Sequence, residues 1–403
     1  MRLPVVFILI TVLLDAMGIG LIIPVMPDLI REVNGGDLAS AAQWGGLLST
    51  TFAIMQFLFG TVLGALSDRY GRRPVLLVSL GVMALDYLIM AVAGSIWLLL
   101  LGRIIGGITA ATQATAYAFM ADISADDDKA ANFGLIGAAF GLGFVLGPLI
   151  GGLLAEYGTR APFYAAALLA GLNTLFGWFV VKETVSEDTR RPFEWRRANP
   201  FGALKVLTSL PGIGPLLVVY FLYQVAFIVY PATWSFFTQE RFDWSPRMIG
   251  LSLALFGVMM AVIQGGLIRR ILRLLGERGT VIYGHVFDVV AFTVIALVTS
   301  GALVLALIPL AALAGVITPA LQGIMSKAVG DARQGELQGA LVSVAALASI
   351  VSPAVMTTAF ATFTRDSAPI YLPGAPYLLS AVLMAFALVV FLRAKPTQQP
   401  QKA

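Results

Sequence analysis

The sequence contains no cysteine, a single histidine and little charge: Asp, Glu, Lys and Arg together make up 12% of its 403 residues. Without cysteine there is no disulfide and no thiol chemistry, and the redox compartment leaves no trace. One histidine and no Cys/His cluster argue against a structural metal site. No G-x-x-x-x-G-K-[ST] run is present, which removes the usual loop for ATP-driven work, and no H-E-x-x-H appears. A serine elbow in a strand–turn–helix context is also missing. What is abundant is apolar: 59% of residues are hydrophobic and the mean hydropathy is +0.89. A soluble domain carries about 25% charged residues, so this composition belongs to a protein of the bilayer. The net charge of +4 is therefore read through its distribution over loops, and no nucleic-acid partner is expected.

Apolar runs long enough to cross about 30 Å of hydrocarbon fall at 4–26, 43–66, 75–93, 96–121, 132–155 and 162–181. Six more fall at 211–238, 247–271, 280–300, 302–325, 338–360 and 373–392. The first follows Arg2 as a signal peptide would, but it is too long for an h-region, ends at Pro24 and contains Asp15; it reads as a span. With the loops assigned alternately, 20 of the 26 Lys and Arg residues lie on the N-terminal side, five lie opposite, and Arg103 falls inside a span. The positive-inside tendency then makes both termini cytoplasmic. The longest polar stretch begins at Lys182 and divides residues 1–181 from 211–403, with 182–210 as a cytoplasmic linker. A faint repeat supports that division. Gly60, Gly71 and Arg73 recur at Gly265, Gly276 and Arg278, an offset of 205, whereas Gly64 and Asp68 are matched by Arg269 and Arg273. Two related six-helix halves suggest a midplane cavity with alternating access.

Two stretches stand out. In the first, Gly60, Gly64, Asp68, Arg69, Gly71, Arg72, Arg73 and Pro74 compress one acid and three arginines between two spans. So charged a turn must lie at a membrane face. Gly60 and Gly64 share a helix face and are expected to admit a neighbouring helix closely. In the second, Gly143, Gly147, Pro148, Gly151 and Gly152 lie within a span, a packing or bending device expected to hold helix five close to a helix of the other half.

Ionisable groups inside spans cost about 3 kcal/mol or more at the bilayer centre and face partners or water. Asp15, Asp86 and Asp288 are such acids, and Arg103 is the one intramembrane arginine. Arg103 neutralises at most one acid, leaving a surplus of carboxylates able to take up and release protons. His285 precedes Asp288 by three residues and so shares its face; it reads either as a packed core histidine or as the titrating partner of Asp288. Gln56, Gln113, Asn173, Gln224, Gln264 and Gln322 are candidate cavity groups or plain interhelical hydrogen bonders. Phe221, Tyr223, Phe227, Tyr230, Trp234, Phe237, Met259 and Met260 offer either an adaptable apolar wall or ordinary packing.

The pattern of residues 60–73, G-x-x-x-G-x-x-S-D-R-x-G-R-R, resembles the loop 2–3 signature of the major facilitator superfamily. Gly143 to Gly152 resembles the antiporter motif of that superfamily's fifth helix. More narrowly, Leu14-Asp15 with Gly18 and Gly20, Leu85-Asp86-Tyr87, Gly102-Arg103, Pro319 to Gly323 and Leu337-Gln338-Gly339 resemble the tetracycline-efflux family. The resemblance runs nearly end to end and is strongest in the first half. It implies an all-α membrane protein of twelve helices in two pseudo-symmetric halves, exporting a drug-like small molecule in exchange for protons. Asp15, Asp86, His285 and Asp288 would carry coupling, and the two glycine-rich stretches the conformational switch. Arg103, Gln56, Gln113, Gln224, Gln264, Gln322 and Met260 would line the substrate path. The family places a coupling-associated histidine on helix eight, four positions before Gln264; here that position is Met260, and His285 with Asp288 would take over the role.

No resident cofactor or enzymatic activity is expected. The proton gradient is the energy source, the resemblance suggests a drug–divalent metal complex as substrate, and the lipid bilayer is the only other partner. The protein is expected to work as a monomer in the cytoplasmic (inner) membrane. The alternatives are another multidrug or metabolite transporter of the same fold or, outside that class, a channel or membrane enzyme.

Overall fold

Apolar runs with no water to satisfy their backbone must close their hydrogen bonds within themselves, and the computed structural model is accordingly helical, with no strand among the described residues. Those residues are 3–110, 112–185, 190, 192–195, 198–202, 210, 212–330 and 333–394. Arg2, Arg191, Arg196, Arg197, Lys205, Lys395 and Lys402, all counted for orientation, lie outside them, as does part of the 182–210 linker.

The spans are α1 (Leu3–Asn34), α2 (Leu38–Tyr70), α3 (Arg72–Val92), α4 (Ile96–Ile123), α5 (Lys129–Leu154), α6 (Ala161–Val180) and α7 (Gly214–Phe242). Next comes a helical stretch, Pro246–Leu297, of 52 residues. At 1.5 Å per residue that is about 78 Å, more than twice the hydrocarbon thickness. Gly276, at φ 66° and ψ 171°, breaks it into two, α8 (246–275) and α9 (277–297). The last spans are α10 (Gly301–Val329), α11 (Gln334–Thr364) and α12 (Ala375–Arg393). The twelve expected spans are thus present among the described residues. The main departure is at the first, which continues through a 3₁₀ turn at Ile23–Val25 and on to Asn34. Local irregularities elsewhere include a break in α4 at Thr109–Ala110, Ile228 interrupting α7, a π-helical turn at Ile263–Leu267 of α8, and a 3₁₀ stretch at Ala312–Val316 of α10.

The chain forms two compact units, each built from most of one sequence half plus a short segment of the other. The first comprises Met1–Gly36, Thr51–Pro200 and Trp244–Ala254; the second comprises Asp37–Thr50, Phe201–Asp243 and Leu255–Ala403. In the first, Phe7, Ile8 and Val12 of α1 pack with Leu76 and Leu80 of α3 and Phe119 of α4. In the second, Val219 of α7 packs with Val281 of α9, Leu321 and Met325 of α10, and Leu341 of α11.

The faint repeat proves extensive once side-chain partners are compared at the same offset of 205. Ser95 and Ser300 cap α4 and α10, accepting from the amides of Leu98 and Leu303. Gly71 and Gly276 both turn the chain at positive φ, where a side chain is disfavoured. Arg73 donates to the Trp178 carbonyl at the end of α6 and lies over the Trp178 ring. Arg278 donates to the Leu392 carbonyl at the end of α12 and lies over the Phe391 ring. Most telling is an ion pair whose polarity inverts. Arg72 meets Asp122 at 3.1 Å in the first unit, and Glu277 meets Lys327 at 2.7 Å in the second. At this position the second copy keeps the ion pair of the first with its signs exchanged.

Glu277→Lys and Lys327→Glu, taken singly, should each place like charges together at a cost of about 1 kcal/mol or less. The double reversal should recover most of the loss in thermal unfolding of the purified protein. Additive losses in the double variant would dissolve the pairing.

Candidate functional site

The turn between α2 and α3 in the first unit is a closed ionic cluster. The Arg72 guanidinium meets Asp68 at 2.5 Å and Asp122 at 3.1 Å, and also donates to the Ser67 hydroxyl. Asp68 therefore bonds an arginine, while the start of α3 is capped by a residue the sequence reading passed over. Glu183, just beyond α6, accepts from the backbone amides of Arg72 and Arg73 at 2.9 and 3.2 Å. A carboxylate at a helix N-terminus completes orphan amides and meets the positive end of the dipole. A side chain on Gly71 would collide with that carboxylate. Arg69 stands apart, over its neighbour Tyr70. The close approach expected at Gly60 and Gly64 is absent, since nothing lies within 4 Å of where a Cβ would sit on either. These glycines leave a face of α2 open in this conformation.

The glycines of α5 are tightly used, three of them by a partner other than the expected one. A Cβ on Gly143 would meet the Leu13 carbonyl and Ala16; on Gly147 the Met17 carbonyl and Gly20; on Gly151 the Leu21 carbonyl. Pro148 faces Gly20 in return. The partner is α1, from the same half of the sequence rather than the other. The four-residue spacing puts three glycines on one face, and α1 happens to present small residues to it. Gly152 and the Pro148 carbonyl do meet sequence from the second half, at Pro246, Arg247 and Gly250 of the segment that belongs to the first unit.

Within the span region of the first unit, Asp86 is buried (3% exposed) and its Oδ2 is paired to Arg103. The carboxyl rests on a glycine face of α4, where a Cβ on Gly102 or Gly106 would come within 2.7 Å of its oxygens. Arg103 also donates to the Met90 sulfur and lies 5.3 Å from the centre of the Phe52 ring. Asp86 Oδ1 and Arg103 Nε remain without partners. Asp15 is half-buried on α1. One turn on, Gly18 admits the Tyr87 hydroxyl, which would be 2.6 Å from a Cβ there. Asn173 accepts from Thr11 at 3.3 Å, a helix-to-helix hydrogen bond.

In the second unit, His285 is fully buried and its Nδ1 bonds the Val281 carbonyl at 2.8 Å. The carbonyl can only accept, so Nδ1 carries a hydrogen and Nε2, which has no partner, is left as the basic atom. Asp288 is buried as well (4% exposed), and its Oδ2 is unpartnered. No hydrogen bond or ion pair joins the two. Sharing a helix face has not brought their polar atoms together: the imidazole turns back to its own helix, between Tyr223 and Phe391, and Asp288 lies within electrostatic reach of Tyr223 and Tyr230. The aromatic side chains of α7 form a packed cluster with Phe256, Phe292 and Tyr377, Tyr230 lying at its centre.

Gln56, Gln113 and Gln264 are exposed, and Gln224 and Gln322 half-buried. Gln264 donates to the Gly315 carbonyl at 3.5 Å, and Gln322 bonds Tyr220. Met260 lies with its thioether against the backbone of Gly315, so the helix-eight position where the family places a histidine is an apolar contact beside the π-helical turn. Asp122, Glu183 and Glu277 went unremarked in the sequence, and Lys327 counted only toward orientation. An offset search extended from glycines to charges of either sign would have found three of them; only the fold shows Glu183 reaching α3.

Twelve spans in two pseudo-repeated halves, with an ion pair and further acids at membrane depth, define a multi-pass membrane transporter. The family model of the major facilitator superfamily matches residues 8–353, and the chain belongs to that superfamily. It is 44% identical over 334 residues to the class C tetracycline resistance protein of Escherichia coli, covering 83% of this chain and 84% of that one. With the class H tetracycline resistance protein of Pasteurella multocida it shares 34% identity over 390 residues, covering 96% and 94%. Among solved structures, the human organic anion transporter MFSD10 superposes with a TM-score of 0.69 at 26% identity, covering 97% of this chain and 99% of that one. The nucleoside transporter NupG does so at 0.79 and 14%, covering 98% and 100%, a likeness of fold alone.

Removing one partner of a buried ion pair costs about 3–5 kcal/mol because the other is stranded. Asp86→Asn should therefore sharply lower the yield of folded protein, and Asp86→Asn with Arg103→Met should restore it while transport stays lost. Gly147→Leu should wedge α5 from α1 and abolish tight coupling, read as drug-independent proton leak or loss of transport in vesicles. Normal coupled transport in Gly147→Leu would remove the glycine contact from the mechanism.

Proposed function

We propose that this chain exports tetracycline, or a related drug-like compound, across the cytoplasmic membrane in exchange for protons. The observation that carries the proposal is the 44% identity to a tetracycline resistance protein over 83% of the chain. Three acids at membrane depth, only one of them paired to an arginine, supply the chemistry antiport requires. Asp86 is committed to Arg103, so proton exchange falls to Asp15 and Asp288, the acids without a counter-charge. Tyr87 and Gly18 lie one turn from Asp15. His285 offers Nε2 as a second basic atom on α9, acting beside Asp288 rather than bonded to it. A conformational switch at Asp68, Arg72 and Asp122, with Glu183 holding the start of α3, would bias the equilibrium between inward- and outward-open states. On this reading the division of labour follows the two sequence halves, both termini are cytoplasmic, the protein acts as a monomer without a resident cofactor, and the drug travels as a complex with a divalent metal. A second reading, a different small-molecule antiporter, is favoured by Met260, which puts a thioether against Gly315 where the family has a titrating ring.

A growth panel on expression tests the choice of substrate: protection against tetracyclines supports the first reading, and protection only against unrelated drugs the second. In everted vesicles Asp15→Asn and Asp288→Asn should each abolish uphill drug accumulation. His285→Phe should flatten the dependence of transport on pH, since histidine is the side chain that most readily titrates in the physiological range. An unaltered pH profile would reduce His285 to a core residue and leave Asp288 to couple alone.

A further inference from the structure

We infer that the cytoplasmic end of α8 is a binding site for the headgroup of an anionic phospholipid. Residues 246–267 already span about 30 Å at 1.5 Å per residue, so residues 268–275 emerge at headgroup depth. At about 100° per residue this last stretch has two distinct sides. Ile268, Ile271 and Leu272 pack inward against the second unit's core. Arg269, Arg273 and Arg270 occupy an arc of about 100° on the opposite side, with Leu274, 74% exposed, next along it. All three arginines are exposed, and none has an ion pair or hydrogen bond among the described residues. Four other cations counted to this side are engaged: Arg72 and Lys327 by carboxylates, Arg73 and Arg278 by carbonyls.

The positive-inside tendency accounts for arginine on this side of the membrane. It does not require three unpaired guanidinium groups on one arc beside an exposed leucine. The same positions in the first unit, 205 residues earlier, are Gly64, Ala65 and Asp68, so the concentration of charge is particular to this end. Guanidinium forks match phosphate oxygens, and an adjoining apolar side chain enters the acyl boundary. A phosphodiester held in the leaflet meets both demands at once. A soluble phosphate would meet only the first.

The test uses the full-length protein purified in a non-ionic detergent, with phosphatidylglycerol and phosphatidylcholine offered together and bound lipid read by native mass spectrometry. The wild type should retain phosphatidylglycerol preferentially. Replacing Arg269, Arg270 and Arg273 by Gln should weaken that preference about tenfold or more, whereas replacing all three by Lys should keep most of it. Leu274→Ser should reduce it without abolishing it. Should the triple Gln variant not fold, Arg270→Gln alone must still lower the preference. An unchanged preference in the Gln variants overturns the site, and displacement of the lipid by equimolar glycerol 3-phosphate overturns the lipid as its occupant.

Discussion

Hydrocarbon offers no hydrogen bonds, so each span must close its own backbone and each helix end must find partners at the membrane face. Much of the charge in this chain is spent on that second requirement. Glu183 completes the amides that open α3, and Arg160 donates to the Ala91 and Ala93 carbonyls at its far end, each at 2.8 Å, while its Nε meets Glu32. Arg73 and Arg278 serve the ends of α6 and α12. Hydrogen bonds involving charged groups contribute about 1.5–3 kcal/mol each, and these tie each helix terminus to a different element. Charges that look like orientation signals in the sequence are also the brackets that set helices against one another.

Once the brackets are recognised, the two halves resemble each other more than their sequences do. The offset of 205 links Ser95 to Ser300, Gly71 to Gly276 and Arg73 to Arg278 through shared tasks, and Arg72–Asp122 to Glu277–Lys327 through a shared bond with opposite signs. An ion pair is indifferent to which end is positive, so polarity can exchange while geometry stays. What polarity does change is the remainder. In the first unit Asp68 joins Arg72; in the second the corresponding Arg273 has no partner among the described residues, and the Glu277 carboxylate is taken by Lys327. The asymmetry between the halves lies in these residual charges.

Spans, their number and the turn glycines were legible because bilayer thickness and backbone satisfaction leave few alternatives for runs of this length. Asp86 with Arg103 was legible as a possible pair from depth alone. Three features were not. The partner of the α5 glycines could not be read, since spacing reveals a close-packing face but not what lies on it; the structure puts α1 there. The open face at Gly60 and Gly64 could not be read either, because glycines that permit an approach do not compel one in every conformation. The separation of His285 from Asp288 depended on a rotamer: three residues apart share a face, yet the Val281 carbonyl captured the imidazole first.

That capture bears on how antiport could work at α9. An imidazole whose Nδ1–H is held by its own helix cannot swing to meet a distant donor, so its exchange with other groups is confined to Nε2. Asp288 keeps an oxygen without a partner at 4% exposure. His285 Nε2 and Asp288 Oδ2 are two orphan acceptors on one helix, three residues apart, and each could hold a proton. In the first unit the comparable depth is occupied by Asp86 locked to Arg103. The locked pair fixes charge in place and holds α3 to α4, while the acids that remain unpaired can change protonation without breaking a helix contact. The locked acid lies in the first unit, while the acids without a counter-charge lie in both, Asp15 in the first and Asp288 in the second.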